Sequence, residues 1–196
     1  MHRRKFVLMT AVAAIAVALP VLAKVSVDEA APDFKLLDAT GKSHSLSELK
    51  GKTVVLEWNN PECPFVMKHY ESGNIPKQQA AATASGVVWL TIASGHTATA
   101  ENAKQNKLQG GAGSAYLFDP DGKVGRLYGA RTTPHIFVID AQGVLRYAGG
   151  IDSIPSTEQS DLAKATQFVP QTLAAIASGK AVMTKTSQPY GCSVKY

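Results

Sequence analysis

Val54-Val55-Leu56-Glu57-Trp58-Asn59-Asn60-Pro61-Glu62-Cys63-Pro64-Phe65-Val66 is an apolar β-type run that breaks at Asn59-Asn60-Pro61 and then enters a helix. A cysteine at that junction lies at a helix N-terminus, where unpaired N–H groups and the helix dipole favour thiolate over thiol. Pro64 suits the first helical position, because the donor it lacks would be unused there. Glu62, directly before Cys63, opposes the dipole with its own negative charge. Thiolate is the reactive form of sulfur, so the stretch predicts thiol redox chemistry centred on Cys63.

The rest of the chain extends this unit in both directions. Upstream, residues 25–32 read as a linker, and 34–37 and 43–46 as a small hairpin around Asp38-Ala39-Thr40-Gly41-Lys42. Downstream, a helix from about Pro64 is interrupted at Ser72-Gly73-Asn74 and resumes to about Ser85, with Gly86 as its stop. Residues 87–92 form a second apolar strand, 99–108 a polar helix closed by Gly110-Gly111, and 116–118 a short strand before Asp119-Pro120-Asp121-Gly122. Residues 135–139 and 144–147 form another hairpin, and about 158–178 a last helix that Pro170 should kink or split. The order β-α-β-α-β, then hairpin and helix, predicts an α/β fold. Its central mixed sheet is flanked by helices, with an N-terminal β-hairpin extension. The crossover rule sets the two apolar strands parallel, and chemistry collects at the C-terminal ends of such strands. Cys63 follows one of those ends.

The first residues stand apart from this domain. His2-Arg3-Arg4-Lys5 is a basic region, Phe6 to Leu22 is apolar and alanine-rich, and Val21-Leu22-Ala23 offers the small residues of a cleavage site. The run is short for a membrane span and is broken by Pro20, which favours cleavage after Ala23 over a permanent anchor. Arg3-Arg4 also fits a twin-arginine export signal. The expected organisation is therefore a signal peptide, 1–23, and a single domain, 24–196, delivered to the periplasm or secreted. Loss of Arg3, Arg4 and Lys5 lowers the formal net charge from +5 to +2, and no basic stripe interleaves with aromatics, so nucleic-acid binding has no support. Two cysteines remain for an oxidising compartment, Cys63 and Cys192.

At this point the chain resembles a thioredoxin-fold protein of the redoxin group, which spans thioredoxin-like reductases and the alkyl hydroperoxide reductase/thiol-specific antioxidant superfamily. The resemblance covers roughly 31–178. It rests on the strand leading to Cys63-Pro64, on Gly129-Ala130-Arg131-Thr132-Thr133-Pro134-His135-Ile136-Phe137-Val138-Ile139-Asp140, similar to the group's cis-proline loop, and on Phe118-Asp119-Pro120-Asp121-Gly122-Lys123-Val124. It implies a thioredoxin fold and a cis Thr133–Pro134 bond beside Cys63, with Thr133 and Pro134 holding an extended substrate segment. It also matches Glu57 to a buried acid that shuttles a proton during exchange.

The chain departs from both subgroups. Val66 stands where a thioredoxin carries its second cysteine. Asn60 and Pro134 stand where a peroxiredoxin carries the threonine and arginine that bind peroxide, although Arg131 is close in sequence. Cys192, in a tail flanked by Pro189 and Gly191, is the natural partner. It either resolves a sulfenate or mixed disulfide on Cys63 or forms a fixed bridge with it, pairs with another chain, or stays free. A fixed bridge closing so long a loop stabilises by roughly 4–5 kcal/mol. Cys63, Met67 and His135 would make a soft set for Cu(I), with Met67 on the cysteine's helix face; otherwise the methionine fills core. Lys68 and His69 read as exposed helix positions, His44 and His96 as surface residues, and His135 as a neighbour of the sulfur.

The expected function is an exported thiol–disulfide oxidoreductase. Cys63 is its nucleophile, Cys192 its candidate resolving cysteine, and Glu57, Thr133 and Pro134 complete the site. The alternatives are a peroxiredoxin-like peroxidase and a Cu(I)-binding or structural module. The first reading requires no cofactor and no metal. Its partners are a protein or small-molecule disulfide or a peroxide, and an external thiol reductant. Membrane contact runs only through the first residues.

Overall fold

The computed structural model describes residues 25–196, so the expected signal segment lies outside the described residues. Seven strands form one sheet. These are β1 (Lys35–Asp38), β2 (Ser43–Ser45), β3 (Val54–Trp58), β4 (Val88–Ser94), β5 (Ala115–Asp119), β7 (His135–Ile139) and β8 (Leu145–Gly149). Their order is β2-β1-β5-β4-β3-β7-β8. Strand β4 pairs parallel with both β3 and β5, and the hairpins at either edge pair antiparallel. The sheet is thus mixed, with the two apolar strands parallel and adjacent. All five residues of β3 are buried, as a strand covered on both faces requires.

Alternation along the strands sorts the side chains into two layers. Leu56, Trp58, Leu90, Ile92, Leu117 and Phe137 face one core, which α4 (Lys123–Tyr128) closes with Val124 and Tyr128. Val55, Trp89, Ile136 and Val138 face the other, against α1 (Pro64–Glu71), α2 (Asn74–Ala84) and α5 (Phe168–Ala177). Each fully buried large apolar side chain contributes roughly 1.5–3 kcal/mol. Helix α3 (Ala100–Leu108) is capped by Thr99, whose side chain accepts from Asn102 N. Among the described residues no helix is long and apolar enough to cross a membrane.

Three segments differ from the sequence expectation. Helix α4 was unforeseen, because Val124, Gly125 and Tyr128 show no clean helical period. Its start is instead fixed from a distance by buried Asp119, whose Oδ1 and Oδ2 accept from Val124 N (3.1 Å) and Gly125 N (2.9 Å). The last helix is split as expected, but the break lies before Pro170: a 3-10 turn spans Gln159–Ala163, and α5 begins at Phe168 so that Pro170 falls in its first turn, where it is tolerated. Residues 25–32 are not a loose linker: Asp28 N and Ala31 N donate to Leu145 O (2.8 Å) and Gly143 O (2.9 Å), and Asp28 pairs with Lys185 at 2.6 Å.

Candidate active site

Strand β3 ends beneath a tight turn that sets the cysteine. Asn60 Oδ1 accepts from Glu62 N (3.1 Å) and Asn60 O from Cys63 N (3.0 Å), after which Cys63 caps α1 with extended backbone and Pro64 opens the helix. Cys63 is 1% exposed. Beside it runs β6 (Thr132–Thr133), and the Thr133–Pro134 bond is cis. Against β6 lies β9 (Cys192–Ser193), antiparallel, with Thr132 opposite Ser193 and Thr133 opposite Cys192.

This pairing carries Cys192 onto Cys63, and the two form a disulfide across 129 residues, with their Cα atoms 6.0 Å apart. Cys63 Sγ also touches Thr133 O at 3.1 Å, a contact that becomes a thiol hydrogen bond when the sulfur carries a proton. Cys192 N lies 3.4 Å from Cys63 Sγ. Cys192 itself is only half-buried, the more exposed residue of the pair.

Glu57 is fully buried on the Cys63 side of the sheet, between Val55 and the aromatic rings of Tyr70 and Trp89. Each of its oxygens accepts two donors. Oε1 takes Asn59 Nδ2 (3.0 Å) and Tyr70 Oη (2.8 Å), and Oε2 takes Gln79 Nε2 (3.0 Å) and Trp89 Nε1 (2.8 Å). Burial pushes its pKa above the ordinary carboxylate value, and the four donors act against that rise. None of these hydrogen bonds reaches a cysteine. Glu57 instead ties β3 to α1, α2 and β4 directly below the turn that positions Cys63.

A second buried cluster was not foreseen. Lys68 and His69, expected on an exposed helix face, are buried, because residues 152–154 and Tyr190 of the tail pack on α1. Lys68 Nζ lies 3.7 Å from Asp152 Oδ2 and donates to Ile154 O at 3.3 Å. Asn74 Nδ2 donates to His69 Nδ1 (2.8 Å), which leaves the ring proton on Nε2, bonded to Tyr190 Oη at 3.0 Å. Tyr190 Oη donates in turn to Asp152 Oδ1. Its ring meets Phe65 edge-on, with centroids 5.8 Å apart. The start of α1 at Pro64 was legible; nothing local in the sequence shows that residues around 190 return to it.

Other candidates fall elsewhere. His135 is buried on the opposite face from Cys63, its ring 4.5 Å from that of Phe137 and its Nδ1 accepting from Arg131 N at 3.2 Å. It is therefore not the sulfur's neighbour, since odd and even positions of β7 point to opposite layers. The Arg131 side chain is exposed. His44 is half-buried and paired with Asp38 at 2.7 Å, while His96 is exposed. Among the described residues no cluster of three or more histidines, cysteines and carboxylates is disposed to hold a metal.

The two buried histidines predict a pH response. Burial first, with the Lys68 charge second, holds His69 down to about 3; burial and then the Arg131 charge do the same for His135. Between pH 6.5 and about 3 the unfolded chain therefore binds protons that the folded chain refuses, and stability falls as pH falls. Glu57 acts in the opposite sense, since its raised pKa favours the folded state below 4.5 and costs stability above it. With both histidines held so far down, stability is expected to fall from pH 7 to pH 5. Urea unfolding at the two pH values measures it; a higher midpoint at pH 5 would contradict the assignment.

The comparisons with known proteins agree with this architecture. A hypothetical protein from Sinorhizobium meliloti superposes with a TM-score of 0.72 at 25% identity, covering 89% of this chain and 96% of its own. An uncharacterized conserved protein from Geobacillus kaustophilus gives 0.73 at 23% identity, covering 87% and 92%. A putative thiol:disulfide interchange protein DsbE from Chlorobium tepidum gives 0.54 at 27% identity, covering 64% and 85%. No curated protein matches. The AhpC/TSA family model matches residues 27–148, from the edge hairpin through the cysteine turn and the cis-proline loop into β8. A cysteine at a helix start, a cis-proline strand beside it and this sheet order have one common explanation: the chain belongs to the AhpC/TSA family of thioredoxin-fold, thiol-dependent oxidoreductases.

Proposed function

We propose that residues 24–196 act, after export and removal of 1–23, as a thiol–disulfide oxidoreductase whose working couple is Cys63–Cys192. The observation that carries this reading is the pairing of β9 with β6, which sets the tail cysteine on the buried sulfur at the start of α1. The greater exposure of Cys192 supports an order of steps. A reductant thiolate attacks Sγ of Cys192, the more exposed residue; a new disulfide forms there, and Cys63 departs with the electron pair as a thiolate stabilised by the helix N-terminus. A second thiol then attacks the mixed disulfide, releasing Cys192 as a thiolate and leaving the reductant oxidised.

Reduction frees the tail from its bond to Cys63 and lets it leave Thr132–Thr133. Cys63 then attacks a substrate disulfide laid along that strand, and Cys192 attacks the mixed disulfide in turn, restoring the internal bridge and discharging reduced substrate. Glu57 is a positioning residue in this scheme. It fixes Asn59 and Tyr70, and with them the turn and helix that aim Cys63.

The competing chemistry is peroxide reduction. Asn60 spends its side chain on the Glu62 amide, Pro134 carries no charge, and among the described residues no hydrogen bond joins an arginine to Cys63. Reduced protein should therefore lose its Cys63 thiol quickly to a small disulfide and no faster than an ordinary thiol to hydrogen peroxide, followed by stopped-flow thiol titration. Fast peroxide consumption would make it a peroxidase.

A further inference from the structure

We infer that the groove filled by residues 187–194 is a substrate-reading surface, and that the tail displays what it reads. The preferred substrate is an extended polypeptide segment with a phenol two residues before its cysteine and glycine between them. This rests on the reading of Cys63 as the nucleophile of disulfide exchange.

Three features carry it. The backbone is read by strand addition: Thr132 and Thr133 face Ser193 and Cys192, and Val194 N donates to Arg131 O at 3.0 Å, contacts any extended chain can make. The position before the cysteine is read by exclusion. Gly191 has φ +123°, and a Cβ there would sit 2.1 Å from Thr133 O, a backbone atom of the strand that holds the cysteine. The next position is read by a polar pocket on α1, the helix that Cys63 caps. The Tyr190 ring lies edge-on to Phe65 with Lys68 Nζ 5.5 Å from its centre, and its hydroxyl bridges His69 Nε2 and Asp152 Oδ1.

A tail anchor needs only an apolar socket. This socket instead buries a lysine, a histidine and an aspartate, each costly to desolvate, the histidine and aspartate at the hydroxyl and the lysine over the ring. Without a phenol, Asp152 Oδ1 keeps only Ile154 N, at 3.1 Å, and His69 Nε2 is left facing Asp152 Oδ2 at 3.8 Å, beyond hydrogen-bond distance. Sites built to bond a hydroxyl reject analogues that lack it, because buried groups are left unpaired.

The test uses the full chain carrying Tyr190→Ala and Cys192→Ser, which vacates the pocket and leaves Cys63 as the one thiol. It is offered peptides of residues 187–194 whose cysteine is bonded to thionitrobenzoate: the tail sequence itself, and the same with Tyr190→Phe or Gly191→Ala. Cys63 thiolate attacks the peptide sulfur; the Cys63–peptide disulfide forms, the peptide–thionitrobenzoate bond breaks, and its electron pair leaves on the coloured thionitrobenzoate anion. The tail peptide should react at least about tenfold faster than either variant, the scale of a hydrogen bond to a charged group. Equal rates for all three, with a small aromatic disulfide as fast, would show that Cys63 exchanges but the groove reads no sequence, and would overturn the inference. No reaction with the peptides or the small disulfide would instead overturn the nucleophile reading beneath it. Should the double variant fail to fold by circular dichroism, Cys192→Ser alone is used, with the same order of rates expected while the peptides compete with the tail.

Discussion

Cys192→Ser protein, reduced and then exposed to a disulfide substrate, is expected to accumulate a covalent adduct on Cys63, while Cys63→Ser protein accumulates none. Serine at 192 cannot attack the mixed disulfide, so the intermediate persists; serine at 63 removes the nucleophile, and protein-dependent exchange falls to background. Intact mass after acid quenching reads both. The same pair of variants separates catalysis from scaffolding, because each removes the same cross-link. The bridge spans 129 residues, and on the chain-entropy model that closure contributes about 5 kcal/mol. Both variants should then melt lower than the oxidised protein by about 10 °C or more, and close to the reduced protein. Equal destabilisation with no adduct in either variant would make the bridge purely structural.

Glu57→Ala is expected to cost about 3–5 kcal/mol of folding stability, a large share of the 5–15 kcal/mol that holds a typical domain. The loss comes from the donors left behind. Asn59, Tyr70, Gln79 and Trp89 all point at one buried carboxyl, from the turn, two helices and a neighbouring strand. Glu57→Gln keeps the volume but turns an NH2 group toward two of those donors, so it should fall between wild type and alanine. Tyr70→Phe removes a single donor and should cost about 1 kcal/mol. Urea unfolding orders the three. If Glu57→Ala costs under 1 kcal/mol, the network is not the clamp described here. Because the clamp also aims α1, exchange by Glu57→Gln should slow without a change in the products.

The tail explains why the site was only half legible beforehand. Cys63, the helix behind it and the parallel apolar strands rest on local signals: a break at Asn59-Asn60-Pro61, a proline at the first helical position, and runs such as Val87-Val88-Trp89-Leu90 that must be buried on both faces. Thr133–Pro134 was legible through its resemblance, and the bond is cis. His135 was misplaced because alternation along β7 turns it to the layer opposite Cys63; Lys68 and His69 were misplaced for another reason. A residue's exposure depends on what folds over it, and the cover for α1 arrives from residues 152–154 and from Tyr190.

The sequence by itself determined a mixed sheet with parallel apolar strands, the place of Cys63 after β3 and the two-cysteine inventory, because apolar runs, turn chemistry and helix starts are written in neighbours along the chain. Only the tertiary structure decided that Cys63 and Cys192 are partners, that the tail lies as a strand on Thr132–Thr133, and that Tyr190 closes a circuit with His69 and Asp152. Those contacts join residues from distant parts of the chain. Their energy lies in hydrogen bonds and burial that no local pattern records, because the pairing exists only once the sheet has set the two segments side by side.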